Sequence, residues 1–155
     1  MPHTAFLRAA IDEALHSVRS GGGPFGAVVV HDGKLIAKGR NRVTSTLDPT
    51  AHAEVVAIRA ACAALQDHRL TGATLYSSTE PCPLCLAAVY WARIERVYFA
   101  ATREDAARAG FDDAELYRQV ALPTQQRSVP FIQIELQGAS APLDAWTTLE
   151  NKALY

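Results

Sequence analysis

The chain has 155 residues, of which 49% are apolar and 20% charged, and its formal net charge is -1. This length and composition are typical of one ordinary globular domain, which can bury a sufficient core without cross-links. The basic residues are scattered and balanced by acidic ones. This argues against a nucleic-acid partner, because nucleic-acid-binding domains normally carry a basic excess.

The N-terminal residues and the cysteines favour a cytoplasmic location. Residues 1–4 (MPHT) lack the basic and apolar segments of a secretion signal. No stretch is long and apolar enough for a membrane span, so no membrane partner is expected. Two of the three cysteines form one C-x-x-C pair, which is too little for a disulfide framework. In a reducing compartment, such thiols are typical of metal binding or redox activity.

Hydrophobic periodicity predicts helices and strands in alternation. Apolar positions in residues 4–19 recur at helical spacing, and the Asp32-Gly33 pair predicts a tight hairpin between strands at 25–30 and 35–38. The remaining predictions, in chain order, are a buried helix at 52–65, a strand at 73–78, a helix at 83–93, a strand at 97–101, helical structure at 103–120 broken at Gly110, a strand at 131–136, and a short helix or tail at 144–155.

This alternation predicts an α/β fold, since strands separated by helices pair in parallel and carry helices on both faces of the sheet. We predict a three-layer α/β/α domain with a central mixed sheet of five strands. The hairpin supplies two strands and residues 131–136 supply the last, which we expect to run parallel to 97–101. No linker, repeat or low-complexity tract interrupts residues 1–155, so a single domain is expected.

Two short motifs, TAHAE at 50–54 and EPCPLC at 80–85, carry the candidate chemistry. His52, Cys82 and Cys85 offer three metal ligands. Three protein ligands leave a fourth tetrahedral position open, which is the arrangement of a catalytic zinc rather than a structural one. Each motif lies where a helix is predicted to begin, and the partial positive charge there favours thiolates. We therefore predict one Zn²⁺ per active site.

Glu54 lies two residues beyond His52, so on a helix it points about 200° away around the axis and does not ligate the same ion. It can instead reach a zinc-bound water, whose pKa the metal lowers toward about 7. Glu54 would take that proton, deliver it to a ring nitrogen and later protonate a departing amine. The spacing H-x-E followed by P-C-x-x-C is the signature of zinc-dependent nucleobase deaminases.

A redox pair and a structural zinc site account for the cysteine motif less completely. A redox pair leaves His52 and Glu54 without a role, and a structural zinc site lacks a fourth ligand. Cys62 lies about 15 Å from the start of its predicted helix, so we interpret it as a small core residue. A zinc-binding protein without catalytic activity remains the alternative from another class.

Beyond these motifs, the chain resembles the short bacterial guanine deaminases of the cytidine-deaminase superfamily nearly end to end. The segments that carry the resemblance are 22–28 (GGPFGAV), Asn41, 48–54 (DPTAHAE), 80–93 (EPCPLCLAAVYWAR), 109–113 (AGFDD), 129–131 (VPF) and 151–155 (NKALY). The resemblance implies a cytidine-deaminase-like fold and hydrolysis of guanine at C2 to xanthine and ammonia. It also implies zinc bound by the three predicted ligands.

The resemblance implies roles for residues that the motifs leave unassigned. Asn41 would hydrogen-bond the base, and Asp113 would act as a second catalytic carboxylate near the 2-amino group. Phe25 and Trp91 would form apolar walls, and Ala53 would also contact the substrate. The residues alone leave plainer alternatives open: a turn at Asn41, a helix cap at Asp113, and ordinary core packing for the two aromatic side chains.

The same resemblance implies that Tyr155 reaches the active site of a partner subunit. Residues of about 140–155 would then form a domain-swapped lid in a homodimer. A tail folded over its own pocket would use the same residues, so that alternative stays open. Alternative substrates are guanosine, an ammeline-type aminotriazine and tRNA adenosine, the last weakened by the acidic net charge.

Overall fold

The structure, a computed structural model, describes residues 2–155. Its elements are α1 (Pro2–Arg19), β1 (Gly26–His31), β2 (Lys34–Arg40), α2 (Val43–Thr46), α3 (Ala53–Leu65), β3 (Thr74–Thr79), α4 (Pro83–Trp91), β4 (Arg96–Ala101), α5 (Arg103–Arg108), α6 (Ala114–Ala121), a 3₁₀ turn (Thr124–Gln126) and α7 (Ala141–Thr148). Within residues 2–155, no helix combines the length and apolar character needed to cross a membrane.

The sheet is mixed, as predicted, with the strand order β2-β1-β3-β4. β1 pairs antiparallel with β2 and with β3, whereas β3 and β4 run parallel. The β1–β2 hairpin turns at Asp32 and Gly33, whose φ values are 50° and 72°. Both values lie in the left-handed region that a two-residue type I′ turn requires.

Helices pack on both faces of this sheet. On one face, Ala10 of α1 packs against Val28 and Tyr76. On the other face, α3 and α4 bury small side chains against the alternate residues of β1 and β3, such as Val29 and Leu75. The period-2 alternation of strand residues separates these two clusters. The site motifs belong to the face that α3 and α4 cover.

The prediction of a fifth strand at residues 131–136 was wrong, since the part of the chain that the structure describes forms a sheet of four strands. These residues are irregular and exposed, and Ile132 and Ile134 each leave 81% of their surface accessible. Alternating apolar residues favour a strand, but a strand also needs a neighbour for its backbone hydrogen bonds. Within residues 2–155 the segment has no such neighbour, so the expected parallel pairing with 97–101 is absent as well.

The predicted break in the helix at 103–120 is confirmed. The segment forms two helices, α5 and α6, and Gly110 between them has a φ of 92°. Glycine adopts this left-handed conformation at little cost, whereas other residues rarely do. The break is important for the site, because it turns residues 111–113 back toward the C-terminal end of β3 and the N-terminal end of α3.

Candidate active site

His52, Cys82 and Cys85 form a compact group at the starts of two helices. The Sγ atoms of Cys82 and Cys85 lie 3.4 and 3.5 Å from Nδ1 of His52, and the three ligand atoms all lie within 4.8 Å of one another. Tetrahedral zinc, with its usual bond lengths, would hold N and S donors about 3.6 Å apart. The spacing and donor chemistry of the three side chains therefore fit a zinc ion.

Local backbone structure places these ligands. His52 is the residue before α3, and Cys82 is the residue before α4; both have extended φ and ψ angles. Pro83 follows at the first helical position, where its lack of an N–H is no disadvantage. Asp48 stabilises the loop before His52, because its carboxylate accepts hydrogen bonds from the backbone N–H and hydroxyl of Thr50.

The electrostatics of the group favour a thiolate. A hydrogen bond from Cys85 is the main cause that lowers the pKa of Cys82 to about 4, and the nearby His52 lowers it further. Conversely, the interaction with Cys82, burial and the Glu54 carboxylate raise the pKa of Cys85. A divalent cation in this position would favour the thiolate form of both cysteines.

Glu54 lies beside the three ligands and is only 5% exposed. Its Oε1 accepts a hydrogen bond from the hydroxyl of Ser77 at 3.1 Å, and its Oε2 lies 3.3 Å from the sulfur of Cys85. Burial, which disfavours the charged form, raises the pKa of Glu54. The arrangement puts a carboxylate next to a candidate metal ion.

A cleft of about 260 Å³ opens above this group. Five of the residues predicted from the sequence line it: Phe25, His52, Glu54, Cys82 and Asp113. Cys85 is buried behind the cleft. The structure therefore brings together side chains from four separate parts of the sequence.

Asp113 is the residue before α6, but its carboxylate makes no capping hydrogen bond within residues 2–155. Asp112 does that instead, since its Oδ1 accepts a hydrogen bond from the N–H of Ala114. Burial, and secondarily the charge of Cys82, raise the pKa of Asp113. Asp113 is thus left available to a molecule in the cleft.

Asn41 follows β2 and is held at three points. Its N–H donates to the carbonyl of Phe25, its carbonyl accepts from the hydroxyl of Ser17, and its Oδ1 accepts from the N–H of Val43. Gly23 lies so close that a Cβ there would be 3.1 Å from the amide carbon of Asn41. With its Oδ1 anchored, Asn41 keeps its amide Nδ2 as a donor group that has no hydrogen-bond partner within residues 2–155.

Besides Cys85, four predicted residues are not among those that line the cleft: Asn41, Ala53, Trp91 and Tyr155. Ala53 is completely buried in the first turn of α3. Trp91 and Tyr155 lie outside the cleft, in a separate apolar groove that also includes Trp146. The Trp91 and Tyr155 rings are 5.9 Å apart, and the ring of Trp146 is 6.3 Å from that of Tyr155.

Several cleft residues were missed from the sequence. Phe111 packs edge-on against Phe25, with ring centres 4.9 Å apart. Its place in the AGFDD segment was a usable signal for this role. The other unassigned side chains of the cleft are Thr79, Glu80, Arg103, Ala106, Asp112 and Leu116. Thr79 directly precedes the EPCPLC motif and Glu80 is its first residue, whereas the positions of the others depend on how α5 and α6 fold back.

Comparison with known proteins identifies the family. The sequence profile of the cytidine and deoxycytidylate deaminase zinc-binding region matches residues 1–101. Over its full length the chain is 49% identical to guanine deaminase from Bacillus subtilis, covering 100% of both chains. A crystal structure of guanine deaminase from Bacillus subtilis superposes with a TM-score of 0.97, covering 100% of this chain and 99% of the other.

A second kind of relative matches only in part. A tRNA-specific adenosine deaminase from Agrobacterium fabrum is 47% identical over 98 residues, which are 63% of this chain and 64% of that protein. The chain therefore belongs to the zinc-binding cytidine and deoxycytidylate deaminase family. Within it, the chain is similar over its whole length to a guanine deaminase, which confirms the family resemblance carried by the segments from 22–28 to 151–155.

Proposed function

We propose that this protein hydrolyses guanine to xanthine and ammonia. The observation that carries the proposal is the position of Glu54, a buried carboxylate beside the His52, Cys82 and Cys85 group at the base of a small cleft. The full-length identity of 49% to a guanine deaminase supports guanine over the other candidate amines.

The proposed mechanism divides the work between a metal ion and two carboxylates. His52, Cys82 and Cys85 would hold a zinc ion, which would supply an activated water for attack on the base. Glu54 accepts a proton from the attacking water and donates it to a ring nitrogen next to C2 of guanine. Asp113 hydrogen-bonds the 2-amino group at the other side of the cleft. Glu54 then takes the proton of the new hydroxyl group on C2 and passes it to the amino nitrogen, so that the C–N bond breaks, ammonia leaves and a carbonyl remains at C2.

The cleft is suited to a flat base. Its volume of about 260 Å³ is close to the lower limit of roughly 300 Å³ that is typical of small-molecule sites, as expected for a small ligand such as a base. The Phe25–Phe111 pair supplies an aromatic wall. The Nδ2 of Asn41 would donate a hydrogen bond to an acceptor on the base, such as O6 or N7 of guanine. Ala53, in the first turn of α3, would contact the base through its backbone.

We also propose that residues 1–155 form one deaminase domain that works as a homodimer, with residues of about 140–155 exchanged between subunits. Two features support this exchange. Tyr155 and Trp91 lie together but away from the cleft of their own chain, and residues 131–136 expose apolar side chains. A second copy would cover the exposed segment, and Trp91 and Tyr155 of the first chain would then lie near the cleft of that second copy.

The three free cysteines suit a reducing, cytoplasmic environment.

Turnover by the zinc-loaded protein tests the activity. Guanine, guanosine, ammeline, adenine and cytosine are compared by ultraviolet absorbance, with Glu54→Gln as the inactive control. We expect guanine to be converted to xanthine well ahead of the others. Turnover of a different amine would keep the zinc chemistry but discard the roles of Asn41 and Asp113. Turnover of none would favour a zinc protein without catalytic activity.

Mixed dimers test the exchanged tail. Chains carrying Glu54→Gln and chains carrying Tyr155→Ala are co-expressed with different tags, and the mixed dimer is purified. With exchanged tails, one site keeps an intact Glu54 and receives an intact Tyr155, so about half of the wild-type activity returns. If each tail folds over its own cleft, no activity returns. A protein that elutes as a monomer would refute the dimer itself.

A further inference from the structure

Ser77 is a polar residue where the strand pattern calls for an apolar one. It lies in β3 on the same sheet face as Leu75, and its side chain is only 1% exposed. A buried hydroxyl is unfavourable unless it makes a hydrogen bond. Here the hydroxyl donates to Oε1 of Glu54 at 3.1 Å. This hydrogen bond offsets the cost of burying a serine at a position that otherwise suits an apolar residue.

The two oxygens of Glu54 have different surroundings. Ser77 contacts Oε1, whereas Oε2 lies toward the metal ligands, 3.3 Å from the sulfur of Cys85. A cysteine that binds zinc is a thiolate and has no proton to donate. When zinc is bound, Cys85 therefore no longer donates a hydrogen bond to Oε2 of Glu54. The hydrogen bond from Ser77 to Oε1 remains.

We propose that Ser77 is a positioning residue for the proton transfer that Glu54 carries out. The terminal torsion of a glutamate side chain has only a weak preference of its own, so a carboxylate without a partner samples many orientations. By fixing Oε1, Ser77 holds Oε2 toward the metal and the base. Oε2 is then the oxygen that shuttles protons. This inference rests on the proposed deaminase function.

The neighbouring residue provides a matched control. Ser78 is also buried in β3, at 6% exposed, but alternation along the strand directs it to the opposite sheet face. Its hydroxyl oxygen accepts a hydrogen bond from the N–H of Gly26 at 3.0 Å. Ser78→Ala therefore removes the same chemical group from the same strand, with a cost in stability but without changing the support of Glu54.

The experiment compares wild-type protein, Ser77→Ala, Ser77→Thr and Ser78→Ala, all loaded with zinc. For each, kcat and KM for guanine, the inhibition constant of xanthine, the zinc content and the melting temperature are measured. We expect Ser77→Ala to lower kcat by about 10- to 100-fold, the effect of losing one hydrogen bond to a charged group. KM, xanthine inhibition and zinc content should stay at wild-type values. Ser77→Thr keeps the hydroxyl and should restore most of kcat.

The outcomes separate this inference from the proposed function. A wild-type protein that does not deaminate guanine overturns the proposed function, and the role of Ser77 with it. An active wild type with an unchanged kcat in Ser77→Ala overturns the role of Ser77 alone. An equal loss of kcat in Ser78→Ala overturns it too, since that loss would reflect general destabilisation. If the extra methyl of threonine lowers the zinc content, the role of Ser77 is decided by comparing kcat of Ser77→Ala with kcat of Ser78→Ala.

Discussion

Gly39 of β2 lets the sheet approach the start of α3 more closely than any other residue would allow. A Cβ at this position would lie 2.2 Å from the carbonyl oxygen of Ala53 and 2.5 Å from the backbone nitrogen of Ala57. Both atoms belong to the backbone of a helix, which cannot turn aside as a side chain can. The substitution Gly39→Ala therefore has to push β2 and α3 apart.

The size of this displacement follows from the contact distances. An ordinary van der Waals contact of about 3.5 Å requires the helix to retreat on the order of 1 Å. Overpacking of this kind costs about 1–3 kcal/mol, and the rigid neighbours argue for about 3 kcal/mol. For a domain of this size that corresponds to a melting temperature lower by about 6–12 °C. A displacement of about 1 Å in reacting groups can cost about 100-fold in rate.

The first turn of α3 carries Glu54, and His52 immediately precedes it, so the damage should reach the metal site. Zinc content, kcat/KM for guanine and thermal unfolding are measured on Gly39→Ala. Gly26→Ala is the control: its Cβ would lie 2.2 Å from the carbonyl oxygen of Ala10 in α1, on the opposite sheet face. We expect both variants to lose stability and only Gly39→Ala to lose zinc and activity. Equal activity in the two variants would refute the reasoning.

Three further predictions concern the site. Glu54→Gln should lower kcat by about 10²- to 10⁴-fold while zinc content stays unchanged; loss of zinc would instead make Glu54 a structural residue. Chelation should abolish activity and lower the melting temperature, because bound zinc stabilises the fold by about 4 kcal/mol at 1,000 times its Kd, and added zinc should restore both. Tyr117→Phe removes a 3.0 Å hydrogen bond to the carbonyl of Pro81, so zinc should be lost at a lower chelator concentration; an unchanged titration would show that this bond does not stabilise the loop before Cys82.

The grouping of the candidate metal ligands was predictable because it depends on short local motifs. His52 and Glu54 are two residues apart, and Cys82 and Cys85 are three apart, so helix geometry fixes each pair before the fold is known. The positions of the helix starts follow from Pro83 and from the change in periodicity after β3. Local rules of this kind also predicted the Asp32-Gly33 turn and the break at Gly110.

The rest of the site depends on contacts between distant parts of the chain. The chain between β4 and residue 113 returns to the cleft only because α5 and α6 are separated by a turn, and this places Phe111 against Phe25. Ser77 is similar, because an isolated serine in a strand carries no signal of the glutamate that it contacts 23 residues away. Periodicity identifies the face on which a residue lies but not its partner across the core.

The wrong prediction at 131–136 has a different cause from these omissions. Its alternating pattern is that of a strand, and the four-stranded sheet leaves β4 as an edge. Exposed edges and exposed apolar segments are both unfavourable, and burying one against the other removes both costs. A sequence pattern records what a segment is suited to contact, including contacts that its own chain does not make. The strand propensity of 131–136 and the distance of Tyr155 from its own cleft therefore support the same proposal, a second copy of this chain.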